Sequence, residues 1–138
     1  MSSRHEIAII GAGIAGLACA RRLSDAGLKL VVFDKGRNAG GRAATRLVAG
    51  KIQFDHGAQY FTARSPAFSS VSETMLSWGA AALLDDGSGK PHFVVTPGMN
   101  ALARYLGRVL EIHQSTEVVA VRPARNGWAV DIGLATRQ

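Results

Sequence analysis

The sequence predicts an α/β fold with a mostly parallel sheet in a three-layer arrangement, and three consecutive features support this. The apolar run Glu6–Ile10 is typical of a buried parallel strand. It leads directly into the glycine cluster Gly11–Gly16, after which apolar residues recur at helical spacing. A second apolar run, Leu28–Phe33, follows. Strand, glycine turn, helix and strand together form a βαβ unit, whose crossover should be right-handed.

The first helix is expected to begin at Ile14. Apolar residues recur at helical spacing from Ile14 to Leu23, and charged residues occupy the opposite face. Gly27 supplies a stop signal at the C-terminal end. The second strand then ends at Asp34.

The middle of the chain predicts fewer regular elements. The segment 35–46 has too little apolar periodicity for a regular element, whereas 52–55 forms a brief strand. Ser65 and Pro66 mark a helix start, because proline favours the first helical position. The expected apolar face of this helix comprises Phe68, Val71 and Met75, with Trp78 close to it.

The last third of the chain predicts a helix, a strand and a hairpin. A surface turn at 85–91 precedes a helix from about 99 to 110. Ile112 is expected to lie in a third parallel strand. The hairpin comprises 117–122 and 128–132, and its loop ends in Asn126 and Gly127.

Length and composition suit one globular domain of 138 residues that buries roughly two-thirds of its extended surface. The hydrophobic fraction is 47% and the charged fraction 19%, which is not the composition of a disordered chain. Cys19 is the only cysteine, which excludes a disulfide framework and a four-thiolate zinc site. No apolar run has the length of a membrane span or of a signal-peptide core. These features predict a cytoplasmic protein that does not interact with a membrane.

The glycine cluster matches a dinucleotide-binding fingerprint. Gly11 permits a tight turn, Gly13 lets the backbone approach a pyrophosphate, and Gly16 allows close packing of helix on strand. Asp34 follows near the spacing of about 20 residues that is typical of a ribose-binding carboxylate. Since its charge repels a 2′-phosphate, the ribose should be unphosphorylated. The choice between FAD and NAD stays open on these residues.

A second motif and its neighbours resemble a known family. Gly40-Gly41-Arg42-x-x-Thr45, after the fingerprint and Asp34, resembles the flavin-dependent amine oxidase superfamily. The segment 54–61, Phe-Asp-His-Gly-Ala-Gln-Tyr-Phe, is similar to the renalase branch and its bacterial relatives. The segments 97–102 and 118–121 resemble later landmarks of the same family, so the resemblance extends over about 7–132.

The resemblance implies a Rossmann-like FAD/NAD(P)-binding domain over residues 1–138, with FAD as the cofactor. It implies that Arg42 lies at the pyrophosphate or the flavin edge, that Gln59 and Tyr60 lie at the isoalloxazine ring, and that the backbone of Val118 holds adenine. The flavin itself carries the chemistry in this family, so no catalytic side chain is assigned. The expected cofactor-binding residues are Gly11, Gly13, Ile14, Ala15, Gly16, Asp34, Lys35, Gly41, Arg42, Gly57, Ala58, Gln59, Tyr60 and Val118.

Other candidate residues predict no further site. The four histidines are widely separated in sequence and show no metal-ligand spacing. His56 lies within the segment 54–61 and is therefore expected near the flavin. Cys19 within the first helix indicates a small buried thiol. The net charge of +6 includes four arginines near the expected cofactor site, which suit a pyrophosphate and an anionic substrate: Arg37, Arg42, Arg46 and Arg64. Nucleic-acid binding is disfavoured, because basic residues are not interleaved with aromatic ones.

Family members are usually much longer, so the chain resembles their N-terminal part. The sequence is therefore expected to represent a truncated domain, without the C-terminal completion and most of the substrate domain. Its exposed sheet is expected to associate with itself or with a complementing chain.

Two functions follow as alternatives. The first is an FAD-dependent oxidoreductase of renalase type, which transfers a hydride from a small reduced donor, such as an isomer of NAD(P)H, to flavin and on to oxygen. The second is a non-catalytic FAD-binding remnant or subunit that needs a separate C-terminal half. A plain NAD-dependent dehydrogenase half is disfavoured by the Gly-Gly-Arg loop.

Overall fold

The computed structural model describes residues 5–134 and divides the chain into two units. Unit 1 comprises Met1–Gly41 and Ala103–Gln138, and unit 2 comprises Arg42–Leu102. The elements in chain order are β1 (Ile7–Ile10), α1 (Ile14–Asp25), β2 (Leu30–Phe33), β3 (Thr45–Val48), β4 (Ile52–Asp55), α2 (Pro66–Ser77), β5 (Ala81–Leu84), β6 (His92–Val95), α3 (Asn100–Gly107), β7 (Ile112–His113), β8 (Thr116–Ala124) and β9 (Gly127–Leu134).

The parallel sheet of unit 1 has three strands in the order β1-β2-β7. Ile9 pairs with Val32, and Val32 pairs with Ile112 on the other side, both in parallel register. The predicted βαβ unit and the third parallel strand at Ile112 are therefore confirmed.

The core of unit 1 lies between α1 and one face of this sheet. Leu17 and Ala20 of α1 are fully buried with Val32 and with Ala103 of α3. The alternate residues of β1 divide between the two faces of the sheet, as a period of two requires. Ile7 and Ile9 pack against the core, whereas Ala8 and Ile10 are exposed.

The hairpin β8–β9 is also part of unit 1 and confirms the predicted one. It is antiparallel, with a register irregularity between Val118 and Ala120 that leaves Val119 as a bulge. The strands extend beyond the predicted bounds to Thr116 and, on the second strand, to Leu134.

Unit 2 contains a hairpin that was only half predicted. β4 was expected, but its partner β3 overlaps the segment that was expected to lack regular structure. Residues 49–51 connect the paired Val48 and Ile52, and the Lys51 amide donates to the Val48 carbonyl at 3.1 Å. Ala49 and Gly50, the central residues of this β-turn, have positive φ values of 51° and 69°, as in a turn of the primed type. The turn was missed because alanine rarely adopts this conformation, so Ala49 gives no turn signal.

The second helix confirms the expected start and part of the expected apolar face, since Met75 is buried and Phe68 is half-buried. The hydroxyl of Ser65 accepts a hydrogen bond from the Phe68 amide at 3.3 Å, with Pro66 at the first helical position. Ser72 and Met75 are buried, whereas Val71 is 48% and Trp78 68% exposed. Burial of Ser72 is tolerated because its hydroxyl donates to the Phe68 carbonyl at 2.8 Å.

The N-terminus of α3 is capped by side chains of the hairpin β3–β4. The Asp55 carboxylate accepts from the Met99 amide at 3.0 Å, and the Thr45 hydroxyl accepts from the Asn100 amide at 3.1 Å. Thr45 also donates to Asp55. These two side chains therefore supply acceptors for amides at the start of the helix.

Replacement of Asp55 by alanine should lower the free energy of unfolding by about 1 kcal/mol, the usual cost of losing a helix cap. Urea unfolding followed by circular dichroism measures this. The control is Glu73→Ala, which removes the same charge from the exposed surface of α2. Equal stability of the two variants would contradict the capping role of Asp55.

Candidate dinucleotide-binding site

The turn between β1 and α1 depends on two glycines for different reasons. Gly11 has a φ of 103°, which side chains rarely adopt, and its amide donates to the Phe33 carbonyl at 2.7 Å. At Gly16 the reason is space, because a β-carbon would overlap the carbonyl oxygen of Gly11. Both glycines are therefore required by the fold, whether or not a ligand is present.

Gly13 differs from these two because nothing in the described part of the chain sterically requires its lack of a side chain. Its φ is −73°, and a β-carbon there would have no atom within 4 Å. Gly13 is the N-cap of α1, and no side chain caps this helix. The amides of Ile14, Ala15 and Gly16 have no acceptor within the helix, as in any first turn. This open turn of amide donors suits an anion such as a pyrophosphate.

Asp34 ties the end of β2 to the glycine turn. One carboxylate oxygen accepts from the Ala12 amide at 2.5 Å, and the other accepts from the Gly36 amide at 2.6 Å. Each carboxylate oxygen has a second lone pair, so the group retains the capacity to accept from ribose hydroxyls. Lys35, the next residue, is exposed.

The loop after Asp34 returns to the glycine turn. The Gly40 amide donates to the Ala12 carbonyl at 2.8 Å, and Gly13 and Gly40 form an isolated parallel bridge. Gly41 has a φ of 54°, and a β-carbon there would lie 3.3 Å from the α-carbon of Gly13. The structure thus brings Gly41 into contact with the predicted fingerprint.

Val118 lies in the same unit as the fingerprint. It is half-buried in β8, beside the bulge and opposite Ile132. Two residues earlier, the Thr116 amide donates to the Asp34 carbonyl at 2.9 Å. The start of β8 is therefore anchored to the residue that was predicted to bind ribose.

The other predicted residues belong to unit 2. The Ala58 amide donates to the Arg42 carbonyl at 2.6 Å, and a β-carbon at Gly57 would overlap that carbonyl. Gly57 is therefore needed for the close approach of these two segments. The side chains of Arg42 and Gln59 are exposed.

Tyr60 stacks on His92, which no sequence motif marks as a site residue. The rings of Tyr60 and His92 are 4.2 Å apart and inclined by 21°, and Tyr60 is 44% exposed. Nδ1 of His92 lies 2.9 Å from the Asp86 carboxylate without the alignment of a hydrogen bond, and it has no other partner among residues 5–134. Hydrogen bonds from Ser88 lower the pKa of Asp86, and the electrostatic interaction with His92 lowers it further. No local pattern marks His92, since its partners lie on separate segments.

Two further findings concern sites of other kinds. Within residues 5–134, no group of three or more His, Cys, Asp and Glu residues has an arrangement that would hold a metal ion. In the same part of the chain, no helix is both long and apolar enough to cross a membrane.

Cys19 is exposed on α1, so the expectation that its thiol is buried was wrong. Helix α1 buries Leu17 and Ala20 instead, and Cys19 lies on its outer face.

Comparisons with known proteins agree with the observed fold. Residues 9–74 match the family described as NAD(P)-binding Rossmann-like domain. The chain is 33% identical over 73 residues to protoporphyrinogen oxidase 2, chloroplastic/mitochondrial, of Arabidopsis thaliana, which is 53% of this chain and 14% of that protein. It is 42% identical over 52 residues to 4,4'-diapophytoene desaturase of Staphylococcus aureus (strain Newman), which is 38% of this chain and 10% of that protein.

Among solved structures, the crystal structure of an OTEMO complex with FAD and NADP is similar with a TM-score of 0.59 and 19% sequence identity. The match covers 96% of this chain and 23% of that one. The chain thus spans less than a quarter of the length of these similar proteins. The predicted fold class, a Rossmann-like α/β domain, is confirmed.

Replacement of Gly16 by alanine should lower the free energy of unfolding by about 1–3 kcal/mol, because the new methyl group forces the Gly11 carbonyl away. Gly13→Ala is the matched control and should cost no more than about 1 kcal/mol, the usual effect of alanine at an N-cap, since its methyl group enters open space. Thermal unfolding of both variants measures the difference. A Gly16→Ala variant as stable as Gly13→Ala would contradict the close approach.

Proposed function

We propose that this chain binds FAD through the glycine turn of unit 1 and is the nucleotide-binding part of a flavin-dependent oxidoreductase. The observation that carries the proposal is the first turn of α1, which lacks a side-chain cap and faces open space at Gly13. Support also comes from the relatives, which are an oxidase and a desaturase, and from the similar solved structure, which is a complex with FAD and NADP.

The residues of unit 1 fit the phosphates of such a cofactor. The amides of Ile14, Ala15 and Gly16 would donate to phosphate oxygens, and the positive end of the helix dipole would favour their negative charge. Gly13 allows the pyrophosphate to approach the backbone directly. Because these donors are backbone groups, the pyrophosphate site depends on the shape of the turn and not on a charged side chain.

Asp34 and its neighbours fit the adenosine half of the cofactor. The Asp34 carboxylate is held by two amides, so its orientation toward ribose hydroxyls is fixed in advance. Its negative charge disfavours NADP, whose ribose carries a phosphate. We assign adenine to the backbone of Val118, and Lys35 to the rim beside the ribose.

Arg42 belongs to the Gly-Gly-Arg motif that resembles flavin-dependent proteins, and this resemblance favours FAD over NAD. It follows Gly41, which contacts the glycine turn, and its planar guanidinium matches phosphate geometry. Its backbone is fixed by Ala58 and Gly57, whereas its side chain is exposed. We therefore assign Arg42 to the pyrophosphate or to the edge of the flavin.

Gln59 and Tyr60 are assigned to the isoalloxazine ring on the basis of the family resemblance. The exposed ring of Tyr60, supported by His92, offers a planar surface to such a group. Bound FAD would supply two-electron chemistry, accepting a hydride from a reduced donor and passing electrons to oxygen. The similarity of 54–61 to the renalase branch favours a small reduced donor such as an isomer of NAD(P)H.

A non-catalytic FAD-binding subunit is the second candidate. It is favoured by a groove of about 480 Å³ in unit 1, lined by Ala8, Ile10, Val121, Trp128 and Val130 among others. β1 has a neighbour on one side only among the described strands. The lining also includes His5, Glu6 and Asn126, so the groove is partly polar. A free strand edge beside such a groove is suited to a further polypeptide segment.

The visible spectrum of the purified chain tests FAD binding. We expect flavin absorbance after addition of FAD, and about ten-fold weaker affinity for FAD in Arg42→Ala, the cost of one charge-assisted hydrogen bond. Binding of NAD should not change if Arg42 lies at the flavin edge, and should weaken to the same extent if Arg42 contacts the pyrophosphate that both cofactors share. The control is Arg104→Ala, which removes an equal charge from the exposed face of α3.

A chain that gains no flavin absorbance contradicts the proposed function, and an unchanged affinity in Arg42→Ala contradicts the role of that residue. The same sample separates the two candidate functions. Bleaching of the bound flavin by a reduced nicotinamide isomer supports the enzyme, whereas bound flavin that no such donor reduces supports the non-catalytic subunit.

We also propose that the groove mediates self-association. Light scattering should show a mass above that of the monomer, and Trp128→Lys should return the chain to the monomer because a charge enters the apolar contact. Trp78→Lys is the control, since Trp78 is equally exposed but lies in unit 2. A wild-type chain that stays monomeric at high concentration contradicts self-association.

A further inference from the structure

We infer that Gln114 is a positioning residue for the nucleotide-binding loop that follows Asp34. The turn between β7 and β8 runs alongside this loop in unit 1. The Thr116 amide donates to the Asp34 carbonyl at 2.9 Å, and the Ser115 amide donates to the Gly36 carbonyl at 2.9 Å. Ser115 has a φ of 52°, the left-handed conformation that places two successive amides toward the loop.

The carboxamide of Gln114 continues this contact further along the loop. Its nitrogen donates to the Arg37 carbonyl at 2.9 Å, and its oxygen accepts from the Ala39 amide at 3.2 Å. These partners determine the orientation of the carboxamide, because a carbonyl only accepts and an amide N–H only donates. Gln114 therefore bridges two backbone groups that lie two residues apart in the loop.

The loop is consequently held at its two ends and in its middle. Asp34 holds the first end through Ala12, and Gly40 holds the second end through the Ala12 carbonyl. Between them lie Lys35 and Arg37, whose side chains are exposed. Gln114 supplies side-chain hydrogen bonds to Arg37 and Ala39, so its loss should leave the loop attached at Gly36 and Gly40 but mobile over residues 37–39.

The ordering of this loop by Gln114 affects the affinity for the nucleotide, because a loop that is fixed before binding loses less conformational entropy when the ligand binds. The role in affinity rests on the proposed function, whereas the contact with the loop does not. Gln114 is a positioning residue and not a ligand-binding residue, because both the nitrogen and the oxygen of its carboxamide form hydrogen bonds with the loop backbone.

Two substitutions separate the hydrogen bonds from the bulk of the side chain. Gln114→Met keeps the length but removes both bonds. Gln114→Glu keeps the acceptor for Ala39 but replaces the donor to Arg37 by a carboxylate, which repels the carbonyl at pH 7. Near pH 4 the carboxyl group gains a proton and can donate again. Gln53→Glu is the control, because Gln53 donates to the Pro97 carbonyl in unit 2.

Amide hydrogen exchange of Ala39, measured by NMR on the FAD-free chain, tests the contact with the loop. We expect about ten-fold faster exchange in Gln114→Met than in the wild type, with an unchanged midpoint of unfolding. In Gln114→Glu we expect faster trypsin cleavage after Arg37 at pH 7 and wild-type Ala39 protection near pH 4. Unchanged exchange in Gln114→Met would overturn the inference, as would an equal change in Gln53→Glu.

Titration with FAD tests the consequence for affinity. We expect about ten-fold weaker binding in Gln114→Met and wild-type binding in Gln53→Glu. A mobile loop combined with unchanged affinity would overturn the positioning role, since the loop would then not contribute to binding. A wild-type chain that does not bind FAD would refute the proposed function, and the exchange experiment would still decide whether Gln114 holds the loop.

Discussion

The paired hydrogen bonds of the Asp34 carboxylate are the constraint on which the nucleotide-binding half of this protein depends. One oxygen holds the amide of Ala12 in the glycine turn, and the other holds the amide of Gly36 in the loop after β2. A carboxylate can accept on both oxygens, which an amide side chain of the same length cannot do. Asp34 therefore fixes the turn and the loop together, and the first turn of α1 is aligned before any ligand is present.

Glycine serves this architecture through separate physical effects. Gly11 supplies a backbone conformation, whereas Gly16 and Gly57 each allow two backbone segments to approach more closely than a β-carbon would permit. Gly13 meets neither requirement, since its φ is ordinary and its surroundings are open. The glycine that the fold does not need is therefore the one whose identity points most directly to a ligand.

Unit 2 shows that a motif residue can have a structural role. Thr45 and Asp55 belong to segments that resemble the flavin-dependent family, and both cap the N-terminus of α3. The sequence predicted β4 and the start of α2 because proline and a serine cap are local signals. It did not predict β3 or the burial of Ser72, because the turn at Ala49 and the hydrogen bond from Ser72 to Phe68 produce no apolar periodicity.

The sequence by itself determined the βαβ unit, the fingerprint turn and the positions of the later helices and hairpin, because these depend on periodicity, glycines and caps within a few residues. Only the tertiary structure decided which distant groups meet. The contact of Ala12 with Asp34, the bridge from Gln114 to the loop, and the stacking of Tyr60 on His92 join segments that are separate in the chain. Such contacts depend on the path of the backbone in space, and no local pattern of residues encodes that path.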